Sequence, residues 1–330
     1  PRSVDGPWSA ASAARINARL VCDFEPGTVT VACTGVAIDG AGQVLTIVHS
    51  CLSAILACAG TLGVGFRARF ACSATMEAMC GRFAVTTDPA LLAEKIKAID
   101  ESTSQDKDPP RPNYNVAPTT TVATVVKRHS EPDDDATRRV RLMRWGLVPP
   151  WAKTADDGAP DTSGPLLINA RSDKVTTSPA FRSSAKAKRC LVPMDGWYEW
   201  KGAKGHKTPY FMYAGDGEPL FMAGLWTTWR PKGADKDSKP LLSCTIITTD
   251  AAGPLADIHD RMPLSISAAD WDRWLDPDAP IDEGLLRGHG DLDRVQIREV
   301  STLVNSVRNN GPELIEPVET TPEPEQAELF

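Results

Sequence analysis

CLVPMDGWYEWKGAKGHKTPYFMYAGDGEPLFMAGLW, residues 190–226, decides the fold class. Short runs rich in β-branched, aromatic and other apolar residues, Cys190–Pro193, Tyr210–Ala214 and Leu220–Trp226, alternate with Gly, Asp and Lys punctuation and leave no room for a long helix between them. Runs of the same kind recur at Thr121–Val126, Arg139–Trp145, Leu242–Thr248 and Val295–Val300. Connections this short favour antiparallel pairing. Two helices flank them. PALLAEKIKAIDE (89–101) carries Leu91, Leu92, Ile96 and Ile99 at helical spacing behind Thr87 or Asp88 as N-cap, and SAADWDRWL (267–275) begins with Ser267 as its cap. The expectation is a single α+β domain with a mainly antiparallel, barrel-like β core and flanking helices.

Composition sets the outer limits. The 330 residues are 42% hydrophobic and 24% charged, with 27 Pro and 24 Gly, which excludes collagen-like, fully disordered and knottin-like chains. Residues 1–78 differ from the rest: they hold five of the eight cysteines and none of the 14 lysines. Within them, 44–66 (VLTIVHSCLSAILACAGTLGVGF) has no charged residue and the length of a membrane span, with Arg67 and Arg69 behind it. Its Ser, Thr, Gly and His interruptions, and the absence of the basic, apolar and small-residue order of a signal peptide, argue against a membrane role. We therefore expect 1–78 to be an upstream segment outside the fold, 79–312 to be the working domain, and 313–330, with six Glu and no Lys or Arg, to be a solvated acidic tail.

The net charge of −7 argues against a strongly basic nucleic-acid wrapper. Residues 79–312 alone carry 31 basic and 32 acidic residues, so a local basic groove is compatible with the total. No paired CxxC, HExxH or Walker-type loop occurs, so neither a metal nor a cofactor is expected. Cys190 and Cys244 sit in apolar runs and read as buried, inert thiols of a protein from a reducing cytoplasm.

Six motifs remain, spread over most of 79–312: MCGRF (79–83), YNVAP (114–118), WGL (145–147) with Trp151, NAR (169–171), GWYEW (196–200) and HDRMP (259–263). Together and in this order they resemble the SOS response-associated peptidase (SRAP) family, proteins that crosslink to abasic sites in single-stranded DNA. The resemblance implies that Cys80 becomes the N-terminal residue once Met79 and what precedes it are removed by self-processing. An α-amine has a pKa near 7.7 to 8.0, so a useful fraction is nucleophilic at neutral pH. It would attack the aldehyde of the opened sugar to give a Schiff base, and the thiol of the same residue would close a five-membered thiazolidine, an intramolecular step.

Three further residues carry the chemistry in this reading. Glu199, between Trp197 and Trp200, is set in surroundings that raise a carboxyl pKa and suit proton transfer; the alternative is an exposed Glu on a strand edge. His259, on a loop, supplies an imidazole, the side-chain type suited to proton transfer during Schiff-base formation. Asn169 matches the family's active-site asparagine, whose amide holds the sugar or the Cys80 backbone. Arg82, Arg171 and Arg261 are the candidate phosphate contacts, Trp145 and Trp151 the candidate base-stacking rings, and Asn115 a weaker candidate for the DNA backbone. The expected partner is single-stranded DNA containing abasic sites, met by a monomer with no membrane attachment. A thiol peptidase acting on other proteins, through Cys80 and His259, and a non-catalytic single-strand binder are the competing readings.

Overall fold

The computed structural model describes residues 19–25, 28–34, 81–103, 111–161, 163–203, 205–235 and 237–318. Stretch 44–66, Cys80 and the tail from 319 lie outside the described residues. The chain divides into two units, Pro1–Glu77 and Ala78–Phe330. In the first, β1 (Arg19–Glu25) pairs antiparallel with β2 (Thr28–Thr34), from Arg19↔Thr34 to Glu25↔Thr28. A two-stranded pair by itself is marginally stable at best.

The second unit is built from two sheets. One has the order β15 (Val295–Glu299), β11 (Thr208–Ala214), β10 (Gly196–Lys201), β3 (Arg82–Val85), β5 (Asn113–Val116), with every neighbour antiparallel. The other runs β14 (Arg261–Pro263), β13 (Leu241–Asp250), β12 (Leu220–Trp229), β9 (Arg189–Met194), β6 (Thr121–Arg128), β7 (Thr137–Trp145), β4 (Ile99–Asp100), and β8 (Asn169–Arg171) lies parallel on β13. In this second sheet β7 also pairs back onto β13 through Ser243↔Arg144 and Cys244↔Trp145, so the path β13-β12-β9-β6-β7 returns on itself. Closure is narrow. β6 and β9 share the single pair Val125↔Leu191, so the barrel is only partly formed. The α+β class and the mainly antiparallel pairing agree with the sequence reading.

Side-chain alternation gives this sheet two buried faces. Val125, Leu191 and Ile247 pack with Leu92, Trp274 and Leu275 from the helical side, while their neighbours Val126, Val192 and Ile246 join Phe83, Trp145 and Trp197 in the core shared with the other sheet. All six residues of β9 are therefore buried. The sheets join at Met194-Asp195-Gly196. A Cβ on Gly196 would stand 2.2 Å from the Met212 carbonyl oxygen, so glycine is required there.

Both expected helices are shorter than their sequence patterns. α1 spans Pro89–Lys95, and Asp88 caps it by accepting from the Ala90 and Leu91 N–H groups, as the sequence indicated. It stops before Ile99 because Lys97 turns to φ +52° and sends Ile99 into β4 beside Arg139 of β7. In 267–275, Ser267 does not cap the backbone. Its hydroxyl donates to the Asp270 carboxylate at 3.0 Å, and a 3-10 turn (Ala268–Asp270) precedes α3 (Trp271–Leu275). Two more short helices, α2 (Arg182–Ala187) and α4 (Glu283–Arg287), complete the set among the described residues. No helix among the described residues is long and apolar enough to cross a membrane.

Candidate nucleic-acid-processing site

The candidate residues are distributed over the two sheets that share the inter-sheet core. In β10, Trp197 pairs with Phe83 and Tyr198 with Arg82, which makes Glu199 the next residue beyond the ladder, at the end of β3 where Gly81 enters. Glu199 shares the face of Trp197, whose ring is in the inter-sheet core, and is only 3% exposed. The burial that the aromatic run suggested is present, and the exposed-edge alternative is not.

From the facing sheet, β8 pairs Asn169 with Ile246 and Arg171 with Thr248, and β14 pairs Arg261 with Asp250. Residues 246, 248 and 250 share one face of β13, so this face runs from core (Ile246 beside Asn169) to rim (Asp250 between Arg171 and Arg261). His259 reaches the same rim from the turn after β13. Its N–H donates to the Leu255 carbonyl at 3.1 Å, and Leu255 belongs to the inter-sheet core. Its Nδ1 lies 2.9 Å from Asp260 Oδ1 and accepts the Arg261 N–H at 3.1 Å. Glu199 thus lies buried beside the end of β3, while Asn169 and His259 belong to the facing sheet and the turn after β13, so a carboxyl, an amide and an imidazole are the chemical groups the two sheets offer here. Cys80 lies outside the described residues.

The arginines differ in what holds them. Arg82 donates through Nη1 to Asn115 Oδ1 at 2.7 Å and to the Val304 carbonyl at 2.9 Å, and through Nη2 to the Asn305 carbonyl at 3.3 Å. These acceptors are neutral, so its positive charge is not compensated by them, while burial pulls its pKa down. Arg171 is clasped by Asp173, Nε to Oδ1 at 3.0 Å and Nη2 to Oδ2 at 3.2 Å. That hydrogen bond holds the Asp173 carboxyl below the usual carboxylate range. A cavity of about 540 Å³ opens beside them, lined in part by Ser172, Asp173, Thr249, Asp250 and His289.

Three sequence expectations need correction. Trp145 is 0% exposed, its indole N–H donates to the Ile168 carbonyl at 3.0 Å, and its ring meets Phe83 edge-on at 5.0 Å, so no ring face is open to a base. Asn115 is 4% exposed and gives its amide to the carbonyls of Val304, Ser306 and Asn309, which makes it an internal clamp. Arg261 is buried and spends its fork on the Thr248 carbonyl and the Asp250 carboxylate, leaving it as a brace between β14 and β13. Trp151, by contrast, is 60% exposed. Sequence reasoning missed the carboxylate partners Asp173 and Asp250. The signals were there: Asp173 follows Arg171 by two, and Asp250 ends the apolar run of β13. Among the described residues no group of His, Cys, Asp or Glu could hold a metal ion, and Cys190 and Cys244 are buried free thiols, the latter pushed up to about 12 by that burial.

A two-sheet α+β domain with a carboxyl buried beside its β3–β10 ladder defines a class that comparison makes specific: residues 79–307 match the sequence model of the SOS response associated peptidase (SRAP) family, and the chain belongs to that family. Abasic site processing protein YoqW of Bacillus subtilis (strain 168) is 36% identical over 243 residues, covering 72% of this chain and 99% of that protein. Abasic site processing protein HMCES of Gallus gallus is 33% identical over 273 residues, covering 73% and 78%. Among solved structures, a protein from Bacteroides thetaiotaomicron superposes with a TM-score of 0.59 at 23% identity, covering 72% of this chain and 99% of that one, a likeness of fold.

Proposed function

We propose that this protein senses abasic sites in single-stranded DNA and captures them covalently through Cys80 after the residues before it are removed. The observation that carries the reading is the burial of Glu199 beside the end of β3, the strand that begins two residues after Cys80 in the sequence. The names of the relatives, abasic site processing proteins over most of their length, point the same way. In this reading the free α-amine of Cys80 attacks the sugar aldehyde, water leaves to give the Schiff base, and the thiol adds to that carbon to form the thiazolidine. Glu199, withdrawn from water, moves the protons, and His259 assists from the opposite rim. Asn169 holds the sugar without adding charge. Arg82 supplies a phosphate contact and Trp151 an exposed ring for a neighbouring base. Removal of the leading residues would be the peptidase step that the family's name records.

The test compares a chain starting at Met79 with the full 330 residues, each incubated with an oligonucleotide carrying one abasic site and with the intact strand. N-terminal mass spectrometry and denaturing gels are the readouts. The expected result is a shifted band with the abasic strand alone, from protein whose first residue is Cys80, and its loss in Cys80→Ala. A stable adduct of equal yield from Cys80→Ala, or from protein that still carries the leading residues, overturns the reading.

A further inference from the structure

The rim of the site is lined by charges that cancel. Arg171, Lys174 and Arg261 stand among Asp173, Asp250 and Asp260: Asp173 closes the Arg171 fork and reaches Lys174 Nζ at 3.9 Å, Asp250 pairs with Arg261, and both Asp250 and Asp260 act electrostatically on Arg171. The Arg171 edge that a phosphate would take bidentately, Nε with Nη2, is the edge Asp173 occupies. Both side chains are about half exposed, so the clasp is open to solvent and exchangeable. Arg82 has no carboxylate on its fork.

We propose that Asp173 is a specificity-determining residue: by occupying the Arg171 fork it keeps the affinity for intact strands low, so that retention on DNA depends on the covalent step at an abasic sugar. The inference rests on the abasic-site reading above. A phosphate arriving at Arg171 must displace a carboxylate of the same charge and geometry. Little is gained by the exchange, and no counterion need leave the DNA for a guanidinium already neutralised. An abasic site adds a bond that no such competition weakens. Asp250 and Asp260 extend the effect by cancelling the remaining field of the rim.

The experiment uses the full chain and Asp173→Asn, with Asp173→Glu as the variant that keeps the charge. Binding to an intact single strand is followed by fluorescence anisotropy across a salt series, and adduct formation with the abasic strand is followed on gels. Asp173→Asn is expected to bind the intact strand about 3- to 5-fold tighter at low salt, the range of one exposed ion pair. Its log-log salt slope should steepen by up to about 0.7, one released contact. Its adduct rate at saturating DNA should stay within about twofold, so the preference for abasic over intact strands narrows, while Asp173→Glu behaves as the parent. Unchanged or weaker binding by Asp173→Asn overturns the proposal, since Asp173 would then be a bystander or would orient Arg171 for phosphate. If the parent chain forms no adduct yet Asp173→Asn still tightens binding, the abasic-site reading fails and Asp173 is left only as a brake on strand binding at Arg171, which overturns its role in selecting abasic strands. If neither chain binds DNA, both fail.

Discussion

Arg82 and Asn115, 33 residues apart in sequence, are locked together by a 2.7 Å hydrogen bond, and the same Asn115 amide holds the carbonyls of Val304, Ser306 and Asn309. One buried side chain thus fixes both the arginine on β3 and the segment that closes over it. Asn115→Leu removes an acceptor and a donor from a dry environment, where each abandoned partner costs about 1 to 3 kcal/mol. A loss of roughly 3 kcal/mol in folding stability is expected by denaturant titration. Weaker DNA binding should accompany it, because Arg82 loses its brace. A loss below about 1 kcal/mol would show that water replaces the network.

The two tryptophans of the WGLVPPW segment, Trp145 and Trp151, should separate cleanly. Trp145→Ala empties a core position and should cost about 3 to 5 kcal/mol. Trp151→Ala should change stability by no more than about 0.5 kcal/mol, and if its exposed ring stacks on a base, it should weaken strand binding by about 1 to 3 kcal/mol. Equal thermal shifts in the two variants would contradict this assignment.

Much of this was legible beforehand, and the exceptions share a cause. All seven strands expected from apolar runs are present, because long runs such as 121–126 and 242–248 are buried on both faces. Of the strands that escaped notice, β3, β5, β8, β10 and β14 carry site motifs, while β1, β2 and the two-residue β4 do not. Polar groups at Arg82, Asn115, Asn169, Glu199 and Arg261 break their hydrophobic pattern, since those positions face a partner or the site. The misassigned roles of Trp145 and Asn115 have another origin: a motif shows that a residue type matters, whereas burial decides whether it touches a ligand or the fold. Helix α1 was overrun because the reversal at Lys97 has no Gly or Pro to announce it.

A pH dependence follows from His129, which links the loop before β7 to Asp278. Its Nδ1 lies 2.5 Å from the Asp134 carbonyl and its Nε2 lies 2.9 Å from Asp278 Oδ2, and these bonds raise its pKa, the Asp134 carbonyl first. A histidine raised in the folded state favours the fold when protonated. Its contribution is fully present below the unfolded value of about 6.5 and is lost as pH rises from there through the folded value. His129→Ala should therefore lower the melting temperature at pH 6 and leave it nearly unchanged at pH 9. An equal loss at both values would trace the effect to packing instead of charge.

The final prediction separates chemistry from binding by comparing Glu199→Gln with Arg82→Gln on protein whose first residue is Cys80. Glu199 is buried within β10 beside the end of β3, and Gln keeps its shape and its hydrogen-bonding reach while losing the ability to take a proton. Adduct formation should slow by roughly 10² to 10⁴-fold, the usual worth of a positioned proton-transfer group, while affinity for an intact strand stays the same. Arg82 stands at the same end of the β3–β10 ladder, paired with Tyr198 next to Glu199, with neutral acceptors on its fork. Replacing it should weaken binding to every strand and flatten the log-log salt slope by about 0.7, because a guanidinium releases counterions whether or not a reactive sugar is present. Its adduct rate at saturating DNA should change far less than that of Glu199→Gln. Circular dichroism melts taken alongside exclude a folding defect in either variant. Glu199→Gln reacting at the parent rate would remove Glu199 from the chemistry, and a salt slope untouched by Arg82→Gln would leave Arg82 with the purely structural role that its bonds to Asn115 and Val304 already give it.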